Sequence, residues 1–208
     1  PVDVEVTTEV VLHAGEDLVR VSVAFDNRCR DHRLRIHLPL PEPASGSEAE
    51  CAFGVVRRGL EAEDGPNEAG VPTFPSRRFV RAGGLLVVHD GLPEYELVDV
   101  RGEGDGARAH EMAVTLLRSV GVVSRGPMAT RALPAGPSTP TPGAQLPGAH
   151  RADLVLHLAG RDPYAVADEA FTPLLVAKPV GSRRFGDATR SASPLSVAGA
   201  EVTALGRR

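Results

Sequence analysis

Apolar and polar side chains alternate with a period of two along the first part of the chain. One apolar row runs through every second residue of 4–10, and a second row runs through 19–25. Because successive side chains of a strand point to opposite faces of a sheet, each row predicts a half-buried strand. The turn-forming residues at 13–17 lie between the two rows and predict a hairpin.

The third row has a cationic face. Between Arg33 and Leu38 every second residue is apolar, and the residues that alternate with them are basic. This pattern predicts a strand with one face toward a core and the other toward solvent. Pro39 and Pro41 follow, and because proline cannot donate to a strand ladder, we expect the strand to stop there.

The middle of the chain contains polar stretches and short apolar runs. Residues 41–50 predict a solvated loop, 52–56 a short strand centred on Phe53, and 57–75 a long surface excursion. The continuous apolar run at 85–88 predicts a central strand that is covered on both faces. Asp90 and Gly91 then predict a tight turn and a second hairpin.

Two later strand patterns flank a segment of unusual composition. Alternating apolar residues at 112–116 and at 154–158 predict strands, whereas 126–150 is rich in Pro, Gly, Ala, Ser and Thr. We predict no interdomain linker there, because the strand pattern resumes at once. Residues 162–171 begin with Asp-Pro and continue with good helix formers, which predicts one short helix. Residues 195–197 and 202–205 predict late strands.

These patterns predict an all-β fold, a large antiparallel β-sandwich that forms a single domain over residues 1–208. A chain of 208 residues is long enough for such a core, and no alternation of helix and strand patterns favours a parallel sheet. Since the chain starts and ends near strand patterns and has no initiator Met, we expect a fragment of a longer polypeptide.

Residues 26–35, DNRCRDHRLR, resemble the DNRxKDHRLR stretch of bacterial glycoside hydrolase family 38, the class II α-mannosidases and mannosylglycerate-hydrolase-like enzymes. Arg30 stands where that stretch has lysine. Further pieces follow in the family's order: GLLV at 84–87, GLPEYE at 91–96, TLLRSVG at 115–121 and QLPG at 145–148. The ordered set resembles the C-terminal β-rich portion of these enzymes and not their catalytic portion.

The resemblance implies a galactose-mutarotase-like supersandwich that supports a retaining α-mannosidase. The larger enzyme would use zinc and a carboxylate nucleophile, both held by an N-terminal catalytic domain that this chain lacks. We therefore expect that domain as the partner and a mannoside as the substrate of the whole enzyme. We expect no catalytic residue and no cofactor in this chain, which would be inert alone; oligomerisation is left open.

Composition argues against some other functions. The net charge of −4 and pI near 6.0 predict no attraction to nucleic acid or to an anionic membrane. No apolar segment approaches the roughly 20 residues that span a bilayer, and no leader pattern is present, so we expect a bacterial cytoplasmic protein. Cys29 and Cys51 lack CxxC spacing and are expected to be free thiols.

Six residues are candidates for a substrate rim or an interdomain contact: Asp31, His32, Arg33, Glu94, Tyr95 and Arg118. An arginine beside an aspartate can form a bidentate pair that fixes a loop, and the same guanidinium could bind a sugar hydroxyl or another domain. We favour bracing of the sheet for Asp31-His32-Arg33 and for Arg118.

Glu94 and Glu96 share one face of a predicted strand beside Tyr95. In a retaining glycosidase two carboxylates face each other across the scissile bond, roughly 5 Å apart. Since exposed carboxylates are common, we expect a solvated acidic edge here and no catalytic pair.

Seven histidines raise the question of a metal site. His32 and His37 fall on opposite faces of one predicted strand, and the other five lack close acidic or thiol partners in sequence. No zinc motif is present, so we predict no metal site in this chain.

A stand-alone carbohydrate-binding module is the alternative function. Sugar-binding surfaces commonly present exposed aromatic rings, whereas this chain has no tryptophan and two tyrosines, Tyr95 and Tyr164. We therefore favour the supporting domain. Strong retention of the chain on a mannose column would favour the module.

Overall fold

The computed structural model describes residues 2–158 and 160–173, which form eleven strands and one α-helix. The first six strands are β1 (Val6–Leu12), β2 (Val19–Asn27), β3 (Arg33–Ala44), β4 (Ser47–Cys51), β5 (Gly54–Arg58) and β6 (Thr73–Pro75). The other five are β7 (Phe79–Ala82), β8 (Leu85–His89), β9 (Glu94–Arg101), β10 (Arg108–Arg118) and β11 (Gly148–Leu158). Helix α1 spans Pro163–Phe171, and short 3₁₀ helices span Gly104–Gly106 and Pro142–Gln145.

The strands form two antiparallel sheets. The larger sheet has the order β1-β2-β11-β8-β7-β4-β5, and the smaller has the order β3-β10-β9-β6. One buried cluster contains Val23, Val87 and Leu154 of the larger sheet together with Met112 and Val114 of the smaller one. Because both sheets contribute to a single core, the chain is an antiparallel β-sandwich, which confirms the predicted fold class.

Helix α1 covers the other face of the larger sheet. Val166 packs with Phe79, Val88 and Val155 in a second buried cluster. The helix begins as its sequence predicts, because the Asp162 side chain accepts a hydrogen bond from the Ala165 N–H at 3.3 Å and proline occupies the first turn. No helix within residues 2–158 and 160–173 is long and apolar enough to cross a membrane.

Strand β8 is buried at every residue because the sandwich core covers one face and α1 covers the other. This confirms the central strand that its continuous apolar run predicts. Strand β11 lies between β2 and β8, so the segment rich in proline and glycine leads back into the same sheet. That segment therefore does not separate two domains.

Residues 1–172 form one compact unit, and the second unit, 173–208, lies outside the described residues except for its first residue. The late strands predicted at 195–197 and 202–205 fall in that part. The single domain over 1–208 stays a prediction.

The prediction that the third strand stops at Pro39 and Pro41 is wrong. β3 continues through both prolines to Ala44, and Pro39 is paired with Glu111 of β10. β3 is an edge strand with one neighbour, so the missing N–H groups of its prolines can face away from the ladder. Residues 41–50 are consequently the end of β3 and most of β4, not a solvated loop.

The short strand predicted at 52–56 exists but is displaced to Gly54–Arg58, so its predicted centre at Phe53 is wrong. Ala52 and Phe53 form the two-residue turn between β4 and β5, where Cys51 pairs with Gly54. The Phe53 side chain is fully exposed. Strand β4 instead buries Glu50, which is 2% exposed, because two side-chain nitrogens of Arg78 hydrogen-bond its carboxylate.

The hairpin predicted at Asp90 and Gly91 does not form. β8 belongs to the larger sheet and β9 to the smaller one, so this turn carries the chain from one layer of the sandwich to the other. A tight turn between two apolar runs has the same sequence signature in both cases.

Candidate functional site

The outer face of the smaller sheet carries a network of charged side chains. We call it the charged face and define it by Arg33 and Arg35 of β3, Glu94 and Glu96 of β9, and Thr115 and Arg118 of β10. These side chains point away from the core because Leu34, Leu97 and Val114, on the same strands, point into it or pack against it.

Glu94 is the centre of the charged face. Its Oε1 accepts hydrogen bonds from Thr115 Oγ1 at 2.7 Å and Arg33 Nη1 at 3.2 Å, and its Oε2 accepts one from Arg118 Nη1 at 2.8 Å. Strand β10 lies between β3 and β9. The Glu94 carboxylate therefore joins all three strands through side chains as well as through the backbone ladder.

Glu96 extends the network along the same strand. Its Oε2 lies 2.7 Å from Arg35 Nη1 and 3.5 Å from both Arg33 Nη2 and Thr73 Oγ1. The side chains of Glu94 and Glu96 are 18% and 19% exposed. The predicted solvated acidic edge is thus a half-buried pair of carboxylates, each neutralised by arginine.

The network changes the protonation of Glu94. Burial raises the pKa of this carboxyl group, but the hydrogen bonds from Thr115, Arg118 and Arg33 outweigh that effect and hold the pKa below its usual 4.5. Glu94 is therefore ionised at neutral pH and cannot serve as a proton donor there. A carboxyl group that acts as a general acid needs a raised pKa.

Asp31 and His32 lie beside the charged face, at the start of β3, and they hold a different segment. The Asp31 N–H donates to Gln145 Oε1 and its Oδ1 accepts from Gln145 Nε2, both at 2.9 Å. Asp31 adopts a left-handed backbone with φ of 52°, which aspartate tolerates better than most residues. The His32 N–H donates to Ser119 Oγ at 3.2 Å, and the Ser119 N–H donates to the His32 carbonyl at 2.9 Å.

Three of the six predicted candidates therefore meet in one network, namely Arg33, Glu94 and Arg118. Asp31 and His32 brace the long segment that follows β10 and do not pair with Arg33, so the expected Asp31–Arg33 pair does not form. Tyr95 points into the core, where it is 1% exposed and its hydroxyl lies 2.8 Å from Ser47 Oγ. Tyr95 thus has no surface to offer to a substrate or a domain.

The six predicted candidates did not include Arg35 or Thr115, and Glu96 was predicted only as part of a solvated acidic edge. Arg35 and Glu96 each lie two residues beyond a candidate on the same strand face, so the period of two could have included them. Thr115 is different, because it joins Glu94 only through the packing of β10 between β3 and β9.

A depression of about 440 Å³ adjoins the charged face. Its lining combines Arg33, Glu94 and Arg118 with the apolar side chains of Val71, Pro75 and Pro93. Guanidinium donors and carboxylate acceptors beside apolar atoms can hydrogen-bond a sugar hydroxyl or a polar surface of another domain.

A buried serine–histidine pair elsewhere does not have the geometry of a nucleophile and its base. His89 Nδ1 accepts a hydrogen bond from the Leu92 N–H at 3.3 Å, so its proton is on Nε2, which donates to Ser76 Oγ. His89 is 1% exposed, and burial lowers its pKa from 6.5 to about 4. A histidine that donates to a serine hydroxyl cannot also remove its proton.

The residues described by the structure contain no group of three or more His, Cys, Asp or Glu side chains that could hold a metal ion. The zinc that the resemblance implies belongs to a catalytic domain outside this chain, and the absence of a metal site from the whole chain stays a prediction. Cys29 and Cys51 are free and half-buried.

Comparison with known proteins gives the relationships of the chain. Over 129 residues it is 31% identical to a protein of Halalkalibacterium halodurans named "Putative mannosylglycerate hydrolase", a match that covers 57% of this chain and 12% of that protein. The chain resembles part of the family 38 glycoside hydrolases. This confirms the family resemblance predicted from residues 26–35 and the ordered pieces that follow them. No protein-family model matches the chain.

Two crystal structures share the fold. An α-mannosidase from Enterococcus faecalis V583 superposes with a TM-score of 0.57, and a protein in glycosyl hydrolase family 38 from Enterococcus faecalis superposes with a TM-score of 0.58. Both are 24% identical to this chain, and each match covers 80% of this chain and 17% of the solved chain. The chain thus spans a small fraction of the proteins that it resembles.

Proposed function

We propose that this chain is the C-terminal β-sandwich domain of a retaining, α-mannosidase-like glycoside hydrolase of family 38. The observation that carries the proposal is the unequal coverage of the sequence match, which includes 57% of this chain and 12% of its relative. A sandwich whose charged residues neutralise one another suits a supporting role. The whole enzyme would act on an α-linked mannoside, and its zinc and nucleophile would belong to the N-terminal catalytic domain.

We propose the charged face as the surface that meets this catalytic domain or lines the rim of its pocket. Its carboxylates are already held by arginines, so it can meet a polar partner surface without burying an uncompensated charge. Arg118 supports this assignment, since its side chain is 62% exposed and its bond to Glu94 is its one hydrogen bond among the described residues.

A carbohydrate-binding module acting alone is less well supported. Tyr95 is buried, and Tyr164 packs edge-on against Phe79 with ring centroids 5.2 Å apart. Among the described aromatic residues, Phe53 is the ring that stands free in solvent. One such ring does not make the aromatic platform that sugar-binding surfaces commonly use.

Activity measurements on aryl α-mannosides test the proposal. We expect no hydrolysis by the 208-residue chain alone and hydrolysis by the longer protein in which it occurs, with loss of activity in chelator. Hydrolysis by the isolated chain, or its strong retention on a mannose column, would contradict the supporting role.

The charged face is tested in the longer protein with Arg33→Ala. If Arg33 braces the sheet, the variant should have a lower melting temperature than the wild type. If it contacts substrate, turnover or substrate affinity should change while the melting temperature stays the same.

A further inference from the structure

A second cavity, of about 650 Å³, lies at one end of the larger sheet. Its walls come from the start of β4, the end of β5, the turn between β7 and β8, and the residues that precede α1. None of the six candidate residues predicted from the sequence lines it. The cavity is large enough for a molecule of sugar size.

Two arginines share one carboxylate in the lining of this cavity. Glu48 of β4 is paired with Arg57 of β5 on one side and with Arg81 of β7 on the other. Arg57 Nε lies 2.7 Å from Glu48 Oε1, and Arg81 Nε lies 2.6 Å from Glu48 Oε2. The hydrogen bond from Arg81 is the main cause that lowers the pKa of Glu48, so this group of three is ionised at neutral pH with one excess positive charge.

The guanidinium groups of this triad keep unused donors. Arg57 contacts Glu48 through Nε, and Arg81 contacts it through Nε and Nη2. Within the described part of the chain, both Nη atoms of Arg57 and Nη1 of Arg81 make no hydrogen bond to protein. The side chain of Arg57 is 86% exposed and that of Arg81 is 48% exposed, so these donors are accessible to a ligand.

A third arginine, Arg58, lies beside the cavity but on the opposite face of β5 from Arg57, because successive side chains of a strand point to opposite faces. Its guanidinium lies 5.0 Å from the centre of the Phe74 ring, and its buried Nε has no hydrogen-bond partner. No carboxylate among the described residues forms an ion pair with it. Arg161 also lines the cavity, but Asp17 and Glu169 already form ion pairs with it.

The turn between β7 and β8 supplies part of the lining without side chains. Gly83 has φ of 51°, and a Cβ there would overlap the Glu42 carbonyl oxygen. The position is therefore restricted to glycine by its conformation and by the close approach of β3. Since Gly84 follows directly, the backbone rather than a bulky side chain faces the space beside Arg81.

We propose that this cavity binds a small anionic molecule of about sugar size, with the free guanidinium donors of Arg57 and Arg81 holding its phosphate or carboxylate group. Two guanidinium forks are the protein groups best suited to an oxyanion, and an excess positive charge favours its entry. The site is independent of the charged face and of the proposed role in a family 38 enzyme.

Titration calorimetry on the 208-residue chain tests the proposal with glucose 6-phosphate, glucose and inorganic phosphate as probes. Glucose 6-phosphate and inorganic phosphate should bind, and glucose, which has the same body without the anion, should not. Arg57→Gln with Arg81→Gln should weaken the binding of both anions by about tenfold or more. Because Arg57 is highly exposed, Arg57→Gln alone provides a variant that keeps the fold, and it should weaken binding severalfold.

Glu48→Gln gives a prediction of opposite sign. It removes the negative charge beside the bound anion and releases donors of both arginines, so anion affinity should rise severalfold. Asp153→Asn is the matched control, because it releases Arg151 on an open part of the same sheet, where Arg151 Nε lies 3.0 Å from Asp153 Oδ1. This control should not change binding.

Three results would overturn the proposal. They are the absence of saturable binding of either anion to the wild-type chain, unchanged binding in Arg57→Gln, and an equal rise in affinity for Asp153→Asn and Glu48→Gln. The last result would show that anions follow general surface charge. If anions bind only when the rest of a longer polypeptide is absent, the cavity instead receives an acidic side chain of that polypeptide, which also contradicts the proposal.

Discussion

Arg33 of β3 and Glu94 of β9 form an ion pair of 3.2 Å across a strand that separates them. The two residues are 61 positions apart in sequence, and Thr115 of the intervening β10 donates to the same carboxylate oxygen at 2.7 Å. The side chains thus join three strands at the end of the sheet where β3 begins. This relationship makes the charged face a structural element as well as a candidate surface.

Arg33→Ala should therefore destabilise the chain. The substitution removes one donor from Glu94 and one from Glu96, both of which are half-buried, and the loss should be about 1–3 kcal/mol in the free energy of unfolding. Urea denaturation measures it. Arg28→Ala is the matched control, because Arg28 pairs with Asp26 in solvent and should change stability by less than about 0.5 kcal/mol. Equal effects of the two variants would contradict the bracing role.

Stability should fall between pH 6.5 and pH 4 because of His89. Burial lowers the pKa of this histidine from 6.5 to about 4, so the unfolded chain binds a proton over this interval and the folded chain does not. The free energy of unfolding is therefore unaffected by protonation of His89 above pH 6.5. It falls as the pH drops below 6.5, by up to about 3 kcal/mol near pH 4.

Denaturation curves at several pH values check this for wild type and for His89→Gln, whose free energy of unfolding should depend less on pH in this interval. The control is His13→Gln, at an exposed turn residue, which should keep the wild-type profile. An unaltered pH dependence in His89→Gln would show that other groups cause the loss.

Replacement by alanine should lower the free energy of unfolding much more at Phe79 than at Phe53. Phe79 is fully buried between the larger sheet and α1, so Phe79→Ala should cost roughly 3–5 kcal/mol in the free energy of unfolding. Phe53 is fully exposed at the β4–β5 turn, and Phe53→Ala should stay within about 0.5 kcal/mol of wild type. Thermal or chemical denaturation compares them, and a large loss in Phe53→Ala would contradict the position of that turn.

Gly83→Ala should destabilise the sandwich by about 1–3 kcal/mol, because alanine is strained at a positive φ and its Cβ would overlap the Glu42 carbonyl oxygen. Gly54→Ala is the control, since a Cβ at Gly54 meets no atom within 4 Å. A measured loss for Gly54→Ala as large as that for Gly83→Ala would show that the close approach of β3 is not the cause.

The sequence predicted the elements whose periodicity is clean. The buried run of β8, the alternation of β2 and the capped start of α1 each follow from local side-chain pattern. The same approach failed for β3, because the tolerance of Pro39 depends on β3 being an edge strand, which only the pairing of strands decides. It failed for β4 because the burial of Glu50 depends on Arg78, 28 positions later in the chain.

Individual residues of the charged face could be predicted from the sequence, but their contacts with one another could not. Arg33, Glu94 and Arg118 were found because a charged residue beside an apolar strand pattern can be recognised locally. Their mutual contact depends on the register of β10 against both neighbours, which no local pattern contains. Tyr95 was misplaced even though the pattern was sufficient here: Glu94 and Glu96 face outward, and a period of two then requires that Tyr95 face the core.

The position of β11 between β2 and β8 affects how the protein can be made. Until residues 148–158 have left the ribosome, the larger sheet cannot close, and β2 and β8 each lack their partner on one side. Unpaired strand edges are templates for pairing with other chains. A nascent chain that has passed residue 118 but not residue 148 is therefore the species most in need of chaperones. Any shortened version for expression must therefore keep β11.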